Sequence, residues 1–477
     1  MRLDAIVARA ADVRGAPKIR LVGDPDVEIE AITLDSRAVT PGTLFACVPG
    51  HRVDGHDFAA AAVQQGADAL VVERPLNLGV PQLQVQSVRA ALGPLSSALY
   101  NHPSRSLRVL GVTGTNGKTT TVSLLDAILE RHGWPTATIG TLTQARTTPE
   151  APELQARLAE LRDLGVVAVA LEVSSHALDM HRVDATEFTA AVLTNLTQDH
   201  LDYHHSMEAY FEAKARLFEP GRAEVAVLNG DDPYGRRLIE RLAGGDTPVM
   251  VYSAQDAEDL VLEPGGSRFR WRGHAVHLRL AGRFNVYNAL AALNAAVAAG
   301  VPEEVAAAGA GDVRRVRGRF EAVEAGQPFT VVVDYAHTPD GLASALTAAR
   351  EIAGGRVVVV FGAGGERDRA KRPLMGQVVS RLADMAVLTS DNPRSDDPEQ
   401  IMHEVAAGFV GDAILVREPD RARAIRAALG AARAGDVVVI AGKGHETGQE
   451  IAGRVLPFDD VVEARRALVG RGDRLEP

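Results

Sequence analysis

The stretch GVTGTNGKTTT contains residue types that suit phosphate binding. Gly114 and Gly117 allow backbone N–H groups to turn toward an anion at a helix N-terminus, where Lys118 adds a positive charge. Thr119 is placed to reach a magnesium ion. The strict pattern G-x-x-x-x-G-K-[ST] is not met, because its first position falls on Val112. A glycine-rich turn with an exposed lysine is the alternative, but a predicted strand before it and a helix after it favour ATP or GTP binding.

Two polar residues follow later apolar runs. Glu172 ends VVAVALE, and a carboxylate at a strand end beside a phosphate loop could hold magnesium. His200 lies in TNLTQDHLDYH, just past another predicted strand, and histidine can ligate a metal or polarise a phosphate oxygen. Either residue alone suits a capping or surface role. Together with the phosphate loop they predict one shared site.

A third feature is a lysine on the apolar side of a predicted helix, SMEAYFEAKARLFEP (206–220). The apolar stripe at i, i+3, i+4 and i+7 spacing consists of Met207, Tyr210, Phe211, Leu217 and Phe218. Lys214 shares this stripe. The opposite face carries Glu208, Glu212 and Arg216. The side chain could snorkel, with its ammonium in water; alternatively it is desolvated, loses its proton and can be modified.

The composition limits the functions open to the chain. Its 477 residues suffice for about two to four domains, and 46% apolar and 24% charged residues are typical of soluble globular proteins. The net charge of −11 argues against nonspecific nucleic-acid binding, although a local basic site remains possible. The single cysteine, Cys47, excludes a disulfide framework and a cysteine-based zinc site. We find neither a signal peptide nor a membrane-length apolar run, and we expect a cytoplasmic protein.

An α/β chain has to position these residues. Residues 1–105 alternate short β-rich and helical runs and end in the polar linker NHPSRS. Residues 106–318 hold a βα series with the apolar strands LRVLGVTG, VVAVALEVS and FTAAVLTNLT, and a helix that Gly300 closes. Residues 319–477 hold a second series whose strands break directly into polar or glycine-rich loops. Ligands bind beyond the carboxyl ends of such parallel strands, so these loops should carry the chemistry.

Ten motifs in register give the sequence a specific resemblance to the Mur ligases. They are GTNGKTT, EVSSHAL, TNLTQDHLDYH, EAKARLF, GRFNVYNALAA, RGRFE, VVVDYAHTP, GGERDRAKRPLMG, DNPR and GKGHE. Mur ligases are ATP-dependent, ADP-forming, amide-bond-forming ligases of peptidoglycan assembly. The resemblance implies three domains: an N-terminal UDP-binding domain (1–105), a central ATPase with a parallel sheet (106–318), and a C-terminal Rossmann-like, doubly wound domain that binds the amino acid (319–477).

The resemblance also implies a mechanism. ATP phosphorylates the D-glutamate γ-carboxylate of UDP-MurNAc-L-Ala-D-Glu, and an amine attacks the acyl phosphate, so positioning and charge neutralisation carry catalysis. ATP-binding residues would be Gly114, Thr115, Asn116, Gly117, Lys118, Thr119, Thr120, Asn285, Asn288, Arg319 and Asp334. Without the resemblance, Arg319 and Asp334 would suit an interdomain ion pair. A site split over two domains implies closure on binding, which excludes water.

Magnesium is the implied metal cofactor. Its ligands or supports would be Thr119, Glu172, His200 and Lys214, with Lys214 carbamoylated, and the catalytic group would be Lys118, Glu172, His200 and Lys214. Carbon dioxide reacts with a neutral amine, so the lysine pKa must fall, and burial lowers it. The carbamate is an anion that needs a cation beside it.

The acceptor site is also implied by the resemblance. Its residues would be Ser36, His51, Arg52, Val53, Thr147, Thr148, Ser174 and Arg182. Some relatives have a glutamine where this chain has Met180, so a hydrogen bond from that side chain is lost. We expect a monomer that binds no nucleic acid.

DNPR resembles the signature of members that add meso-diaminopimelate. An arginine fork can grip the second carboxylate of that amine, whereas lysine lacks the group and would leave the Arg394 guanidinium unpaired. The implied pocket contains Arg367, Asp391, Asn392, Pro393, Arg394, Gly442 and Glu446. An Asn-Pro turn with a solvated arginine is the alternative, and L-lysine or L-ornithine remain alternative amines.

Two other functions share part of this pattern. Folylpolyglutamate synthase shares the ATPase core and the modified lysine but lacks the N-terminal domain. A nucleotide switch without ligase activity would not need DNPR, GKGHE and a core-facing Lys214 together.

Overall fold

The computed structural model describes residues 1–50, 53–366 and 368–472, which form three α/β regions in chain order. Short 3-10 helices are Ser36–Ala38, Gly55–Phe58, Pro103–Ser106, Arg216–Phe218 and Ala254–Asp256. Within these described ranges, no helix is long and apolar enough to cross a membrane.

The first region is a five-stranded sheet covered by helices. Its elements are α1 (Leu3–Ala11), β1 (Arg20–Val22), β2 (Ala31–Thr33), β3 (Thr43–Ala46), α2 (Ala59–Gln64), β4 (Ala67–Val72), β5 (Gln82–Gln84) and α3 (Val88–Leu99). The strand order is β1-β5-β4-β3-β2, with β1 and β5 antiparallel and the other pairs parallel. Helices α1 and α3 bury their apolar faces in one core, and α2 contributes to a second.

The second region is built on a six-stranded parallel sheet. Its strands are β6 (Arg108–Thr113), β7 (Thr136–Ile139), β8 (Ala168–Glu172), β9 (Phe188–Leu193), β10 (Ala223–Asn229) and β11 (Val249–Tyr252), in the order β11-β10-β9-β6-β8-β7. Strands β8 and β9 are buried at every position, as expected for apolar strands covered on both faces. Because β6 lies between β8 and β9, the carboxyl ends of these three strands meet at one edge.

Eight helices and a small antiparallel sheet complete the described part of this region. The helices are α4 (Lys118–Arg131), α5 (Ala151–Asp163), α6 (Ser175–Asp179), α7 (Leu201–His204), α8 (Met207–Ala215), α9 (Pro233–Leu242), α10 (Arg283–Ala298) and α11 (Glu303–Ala310). The antiparallel strands are β12 (Glu258–Glu263), β13 (Gly266–Trp271) and β14 (His274–Leu278).

The third region is a doubly wound sheet, as predicted. Its strands are β15 (Glu321–Ala322), β16 (Thr330–Asp334), β17 (Val357–Phe361), β18 (Met385–Leu388), β19 (Ile414–Arg417) and β20 (Val437–Ala441), followed by the hairpin β21 (Gly448–Ile451) and β22 (Arg454–Pro457). The order is β15-β16-β20-β17-β18-β19, with β15 antiparallel to the rest. Helices on the two faces are α12 (Pro339–Ile352), α13 (Lys371–Leu382), α14 (Pro398–Ala406), α15 (Arg421–Ala431) and α16 (Asp460–Gly472).

Some element bounds differ from the sequence prediction. The helix predicted over 206–220 is α8 followed by the 3-10 turn Arg216–Phe218. The strand predicted from FTAAVLTNLT ends at Leu193, because the backbone of Asn195 turns to accept a hydrogen bond from the phosphate loop. The chain leaves the sheet of the first region after α3 and enters the sheet of the third region after α11. We propose 1–105, 106–318 and 319–477 as the domains.

Candidate active site

The phosphate loop depends on two glycines between β6 and α4. Gly114 has a φ of +152° and Gly117 a φ of +88°. A Cβ on Gly114 would lie 1.8 Å from Thr194 Oγ1, and a Cβ on Gly117 would lie 2.2 Å from Asn288 Oδ1. Glycine is therefore required at both positions by close approach, and at Gly117 also by the left-handed backbone.

We expect Gly117→Ala to lower the free energy of unfolding by about 2–5 kcal/mol, because backbone strain and overpacking against Asn288 add. Gly133→Ala is the matched control: Gly133 has a φ of +89° at the other end of α4, and a Cβ there meets nothing within 4 Å. The control should cost only the strain, about 1–2 kcal/mol. Thermal unfolding and ATP titration of both variants check this; equal losses with unchanged ATP affinity would contradict it.

The loop is tied to the chain after β9. Thr115 N donates to Asn195 O at 2.9 Å, and Asn116 N donates to Asn195 Oδ1 at 2.9 Å. Thr120, in the first turn of α4, is buried and also lines the cleft. The phosphate loop is thus fixed to the chain after β9 by one backbone hydrogen bond and one hydrogen bond to the Asn195 side chain.

Two lysine side chains converge on this loop. Lys118 Nζ donates to Gly114 O at 2.8 Å and to Thr115 O at 2.9 Å. Lys214 Nζ donates to the same Gly114 O at 2.9 Å and lies 4.7 Å from the centre of the Tyr210 ring. Burial lowers the pKa of Lys118, and burial together with the nearby Lys118 charge lowers the pKa of Lys214 well below its ordinary value.

Lys214 is only 2% exposed, so its ammonium does not reach water. The snorkelling interpretation is therefore wrong, because α8 packs its apolar side directly on the phosphate loop rather than on the surface. Lys214 is therefore a desolvated amine, as the other interpretation of this helix required.

Of the two predicted strand-end residues, Glu172 contacts Thr119 directly. Thr119 Oγ1 donates to Glu172 Oε2 at 3.0 Å, and Arg319 Nη2 donates to Thr119 Oγ1 at 3.1 Å. Glu172 is buried and also accepts from Thr141 N at 2.9 Å. A hydroxyl, a carboxylate and a guanidinium from two regions thus share one point of the cleft.

Asp334 and Asn288 line the cleft, whereas Asn285 does not. Asp334 lines the cleft, and its carboxylate accepts from Phe320 N at 2.7 Å and Ala336 N at 2.8 Å. Among ion pairs of the described residues, none contains Arg319 or Asp334, which contradicts the interdomain ion-pair alternative; across the domain boundary Arg319 donates to the Thr119 hydroxyl instead. Asn288 lines the cleft and donates to Asn285 Oδ1 at 3.1 Å; Asn285 itself is buried behind it.

His200 lines the cleft beside a contact between the second and third regions. Its Nε2 lies 3.4 Å from Asp199 Oδ2, and burial lowers its pKa to about 4 despite this carboxylate. The imidazole is therefore neutral at neutral pH and able to act as a ligand. Asp199 Oδ1 accepts from Lys371 Nζ at 3.1 Å, so α13 of the third region contacts the site directly.

Two predicted acceptor residues face the cleft beside Glu172. Thr147 Oγ1 lies 3.1 Å from Thr141 Oγ1, which donates to Glu172 Oε2 at 3.2 Å. Ser174 caps α6 and lines the same wall. Thr147 is thus linked to Glu172 through Thr141, and Ser174 lines the same cleft.

Thr148 and Arg182 lie behind this wall. Thr148 is buried and donates to Glu172 O at 2.8 Å, and Arg182 Nη1 donates to Thr148 O at 3.1 Å. Arg182 Nη2 lies 2.8 Å from Glu150 Oε1 and 3.5 Å from Met180 Sδ. Arg182 is therefore held rigidly by the chain itself.

Two of the four predicted N-terminal residues, Ser36 and Val53, lie in the described part of the first region. Ser36 begins the 3-10 helix Ser36–Ala38, and Val53 is 60% exposed. Neither residue is part of the described cleft lining. His51 and Arg52 lie outside the described residues.

The loops after β18 and β20 contact each other. Asn392 Nδ2 donates to Glu446 Oε2 at 2.8 Å. Asp391 is buried, and its Oδ2 lies 3.1 Å from where a Cβ on Gly442 would be. Pro393 O accepts from Asp396 N in a turn. Arg367 lies outside the described residues.

Arg394 has partners within the chain. Its Nη1 donates to Gly365 O at 2.6 Å, and its Nε lies 3.3 Å from Glu450 Oε2. The side chain is 21% exposed, so the alternative of a solvated arginine is wrong. The expectation that lysine would leave this guanidinium unpaired is also wrong, because Glu450 on β21 supplies a carboxylate.

Sequence reasoning missed Lys443. Its side chain is fully buried, and Nζ donates to Asn392 Oδ1 and Glu446 Oε2, both at 2.9 Å. A lysine between two glycines in a loop resembles a surface residue, so only its position inside GKGHE could have indicated it. The Lys443 ammonium thus already donates to Asn392 and Glu446, two of the residues predicted to bind the amine substrate.

The cleft between the second and third regions has a volume of about 550 Å³. The second region contributes the phosphate loop, Glu172 and His200, and the third contributes Arg319, Asp334 and His337. Sequence reasoning also missed the far end of the cleft, where Tyr287 OH donates to Asp231 Oδ2 at 2.8 Å. Because Lys118 and Arg319 both line this cleft, it suits a polyphosphate.

Comparison with known proteins covers nearly the whole chain. Residues 28–100 match the Mur ligase family catalytic domain, residues 112–296 the Mur ligase middle domain, and residues 318–444 the Mur ligase glutamate ligase domain. The UDP-N-acetylmuramoyl-L-alanyl-D-glutamate--2,6-diaminopimelate ligase of Geobacillus kaustophilus is 47% identical, with 94% of this chain and 96% of that protein covered. The ligase of the same name from Streptomyces avermitilis is 44% identical, with coverages of 96% and 98%.

The fold has a counterpart among solved structures. A UDP-N-acetylmuramoyl-L-alanyl-D-glutamate--2,6-diaminopimelate ligase superposes with a TM-score of 0.68 at 35% identity, covering 94% of this chain and 97% of that one. The predicted α/β class with three domains is confirmed. The chain belongs to the Mur ligase family of ATP-dependent, ADP-forming ligases.

Proposed function

We propose that this Mur ligase joins meso-diaminopimelate to the D-glutamate γ-carboxylate of UDP-MurNAc-L-Ala-D-Glu. The observation that supports this most is the Arg319–Thr119 hydrogen bond of 3.1 Å, which brings cationic and hydroxyl groups of two regions to one phosphate-binding cleft. The names of the relatives point to the same acceptor and amine. We place the enzyme in the cytoplasm, where ATP and UDP-linked precursors are found, and we propose that it acts as a monomer.

The reaction has two steps, phosphoryl transfer and amide formation. An oxygen of the γ-carboxylate attacks the γ-phosphorus of ATP, ADP leaves, and an acyl phosphate forms. The amine nitrogen then attacks the acyl carbon, the tetrahedral intermediate expels inorganic phosphate, and the nitrogen loses a proton. Lys118 and Arg319 neutralise charge on the transferring phosphoryl group, while Thr147 and Ser174 hold the acceptor beside it.

The donor set fits magnesium. Thr119 Oγ1 and Glu172 Oε2 are 3.0 Å apart, and both are the hard oxygen donors that this ion prefers. The described residues contain no group of three or more His, Cys, Asp or Glu that could hold a metal, so ATP phosphate oxygens would complete the shell. Bound magnesium would supply charge neutralisation at the phosphates. We propose His200 and a carbamoylated Lys214 as the support for a second ion.

We expect Glu172→Gln to raise the magnesium concentration for half-maximal phosphate release by about 10- to 100-fold. The amide keeps the hydrogen bond to Thr119 but removes the negative charge that attracts the cation. Glu160→Gln, on the exposed side of α5, is the control. A magnesium titration of both variants checks this, and identical titration curves would remove Glu172 from the metal site.

The function is tested by phosphate release from ATP with UDP-MurNAc-L-Ala-D-Glu and each of diaminopimelate, L-lysine and L-ornithine. Release that requires both the acceptor and diaminopimelate is expected. Release independent of acceptor and amine would overturn the ligase proposal in favour of a nucleotide switch. Faster release with lysine or ornithine would identify that compound as the amine, and activity with folylpolyglutamate acceptors alone would support the other ligase class.

A further inference from the structure

A fully buried arginine lies beneath the loops after β18 and β20. The side chains of Arg421 and Asp460 are both 0% exposed. Arg421 Nε and Nη2 donate to the two carboxylate oxygens of Asp460 at 2.8 Å and 2.7 Å. These are the first residues of α15 and α16, so the pair joins two helix N-termini under the sheet edge. Neither residue was singled out from the sequence.

The same guanidinium holds two separate strand ends. Arg421 Nη2 donates to Ala441 O at 2.9 Å, and Nη1 lies within hydrogen-bond distance of Ser390 O at 3.5 Å. Ala441 ends β20 and Ser390 follows β18, while β17 lies between these strands in the sheet. The next residues along the chain are Gly442 and Asp391, the first residues of the proposed amine pocket. The planar guanidinium therefore links the ends of β18 and β20 across the intervening β17, immediately below that pocket.

The pocket above it is sensitive to small shifts. Asp391 Oδ1 is buried without a hydrogen-bond partner among the described residues, and Lys443 Nζ lies 3.8 Å away. Burial raises the pKa of Asp391, and the charges of Arg421 and Lys443 oppose this effect. A buried acceptor without a partner suits an incoming ammonium group only if both loops keep their spacing.

We propose that Arg421, oriented by Asp460, is a positioning residue for the amine substrate. It fixes the separation of the Ser390–Asp391 and Ala441–Gly442 segments and thereby the geometry with which their side chains meet the amine. It does not touch substrate itself, since it is covered by these backbone segments. The inference rests on the proposed function, because it concerns the amine that the ligase uses.

The test compares Arg421→Lys with Arg356→Lys. Arg356 forms a similar pair with Asp436, at 2.7 Å and 3.2 Å, at the opposite ends of β17 and β20. Lysine keeps the charge at either site but cannot reach two strand ends at once. We expect Arg421→Lys to raise the KM for diaminopimelate by about 10- to 100-fold, with an unchanged KM for ATP, and Arg356→Lys to change neither constant. Asp460→Asn, which frees the guanidinium to turn, should act in the same direction.

Each outcome decides the question. Thermal unfolding is measured for all three variants. If Arg421→Lys and Asp460→Asn fold but keep the amine KM of Arg356→Lys, or raise both KM values equally, the positioning role is wrong. If neither variant folds, the pair is structural only and the proposal is overturned. If the unaltered enzyme shows no amine-dependent phosphate release, the proposed function has failed instead.

Discussion

Lys214→Ala should lower the rate of phosphate release by about 10²- to 10³-fold, the cost of losing one preorganised charged group in a catalytic site. The physical reason lies in its surroundings. The amine is buried between the Gly114 carbonyl and the Tyr210 ring, and its pKa is lowered well below the ordinary value. A neutral amine reacts with carbon dioxide, and the resulting carbamate would be an anion near Lys118.

Glu212→Ala is the control for this variant. Glu212 lies on the exposed face of the same helix and pairs with Arg241 at 2.7 Å, a surface contact worth about 0–1 kcal/mol. Short carboxylic acids should restore part of the activity of Lys214→Ala by replacing the carbamate, and they should leave Glu212→Ala unchanged. An unmodified amine in the active enzyme, found by mass spectrometry, would show that carbamoylation is not required. Full activity of Lys214→Ala would remove the residue from the mechanism.

Arg394→Ala should lower kcat/KM for diaminopimelate by a factor that corresponds to about 2–5 kcal/mol, the range for truncating one partner of a buried charge pair. The guanidinium already lies 3.3 Å from the Glu450 carboxylate, so a substrate carboxylate would exchange with or join this pair. The KM for ATP should stay constant, because the phosphate loop is in another region.

Arg417→Ala provides the comparison for Arg394→Ala. Arg417 is an exposed arginine of the third region and pairs with Glu399 at 3.2 Å. Steady-state kinetics with diaminopimelate and with lysine separate the roles. Equal losses for ATP and diaminopimelate would mean that Arg394 is structural. Because Glu450 keeps the guanidinium paired, we expect lysine to be disfavoured by lost contacts rather than by an unpaired charge.

The parts of the site that follow from local pattern were predictable. The side of α8 on which Lys214 lies follows from the apolar stripe around it. The meeting of Thr119 and Glu172 follows from the rule that parallel strands end at one edge. Helix periodicity and the common edge of the parallel strands therefore located the phosphate-binding half of the cleft.

Contacts between distant segments were not predictable from one sequence. The pairing of Arg394 with Glu450 depends on the hairpin of β21 and β22, which has no strong local signal. Arg421 and Asp460 begin two helices and look like ordinary first-turn charges until the fold buries both. Such burial depends on tertiary packing, which propensity and spacing do not encode.

The two lysines at the phosphate loop should make the stability of the folded chain depend on pH and on bound ATP. The single carbonyl oxygen of Gly114 accepts from both Lys118 and Lys214, so burial, together with the repulsion between two positive charges, disfavours the state in which both amines are protonated. The folded chain binds protons at these amines less tightly than the unfolded chain, and its stability should rise with pH toward the ordinary lysine value of about 10.4. A bound polyphosphate relieves the same repulsion, so ATP should raise the melting temperature by more than its contact area alone predicts. We therefore expect anions that bind at this loop to stabilise the folded chain.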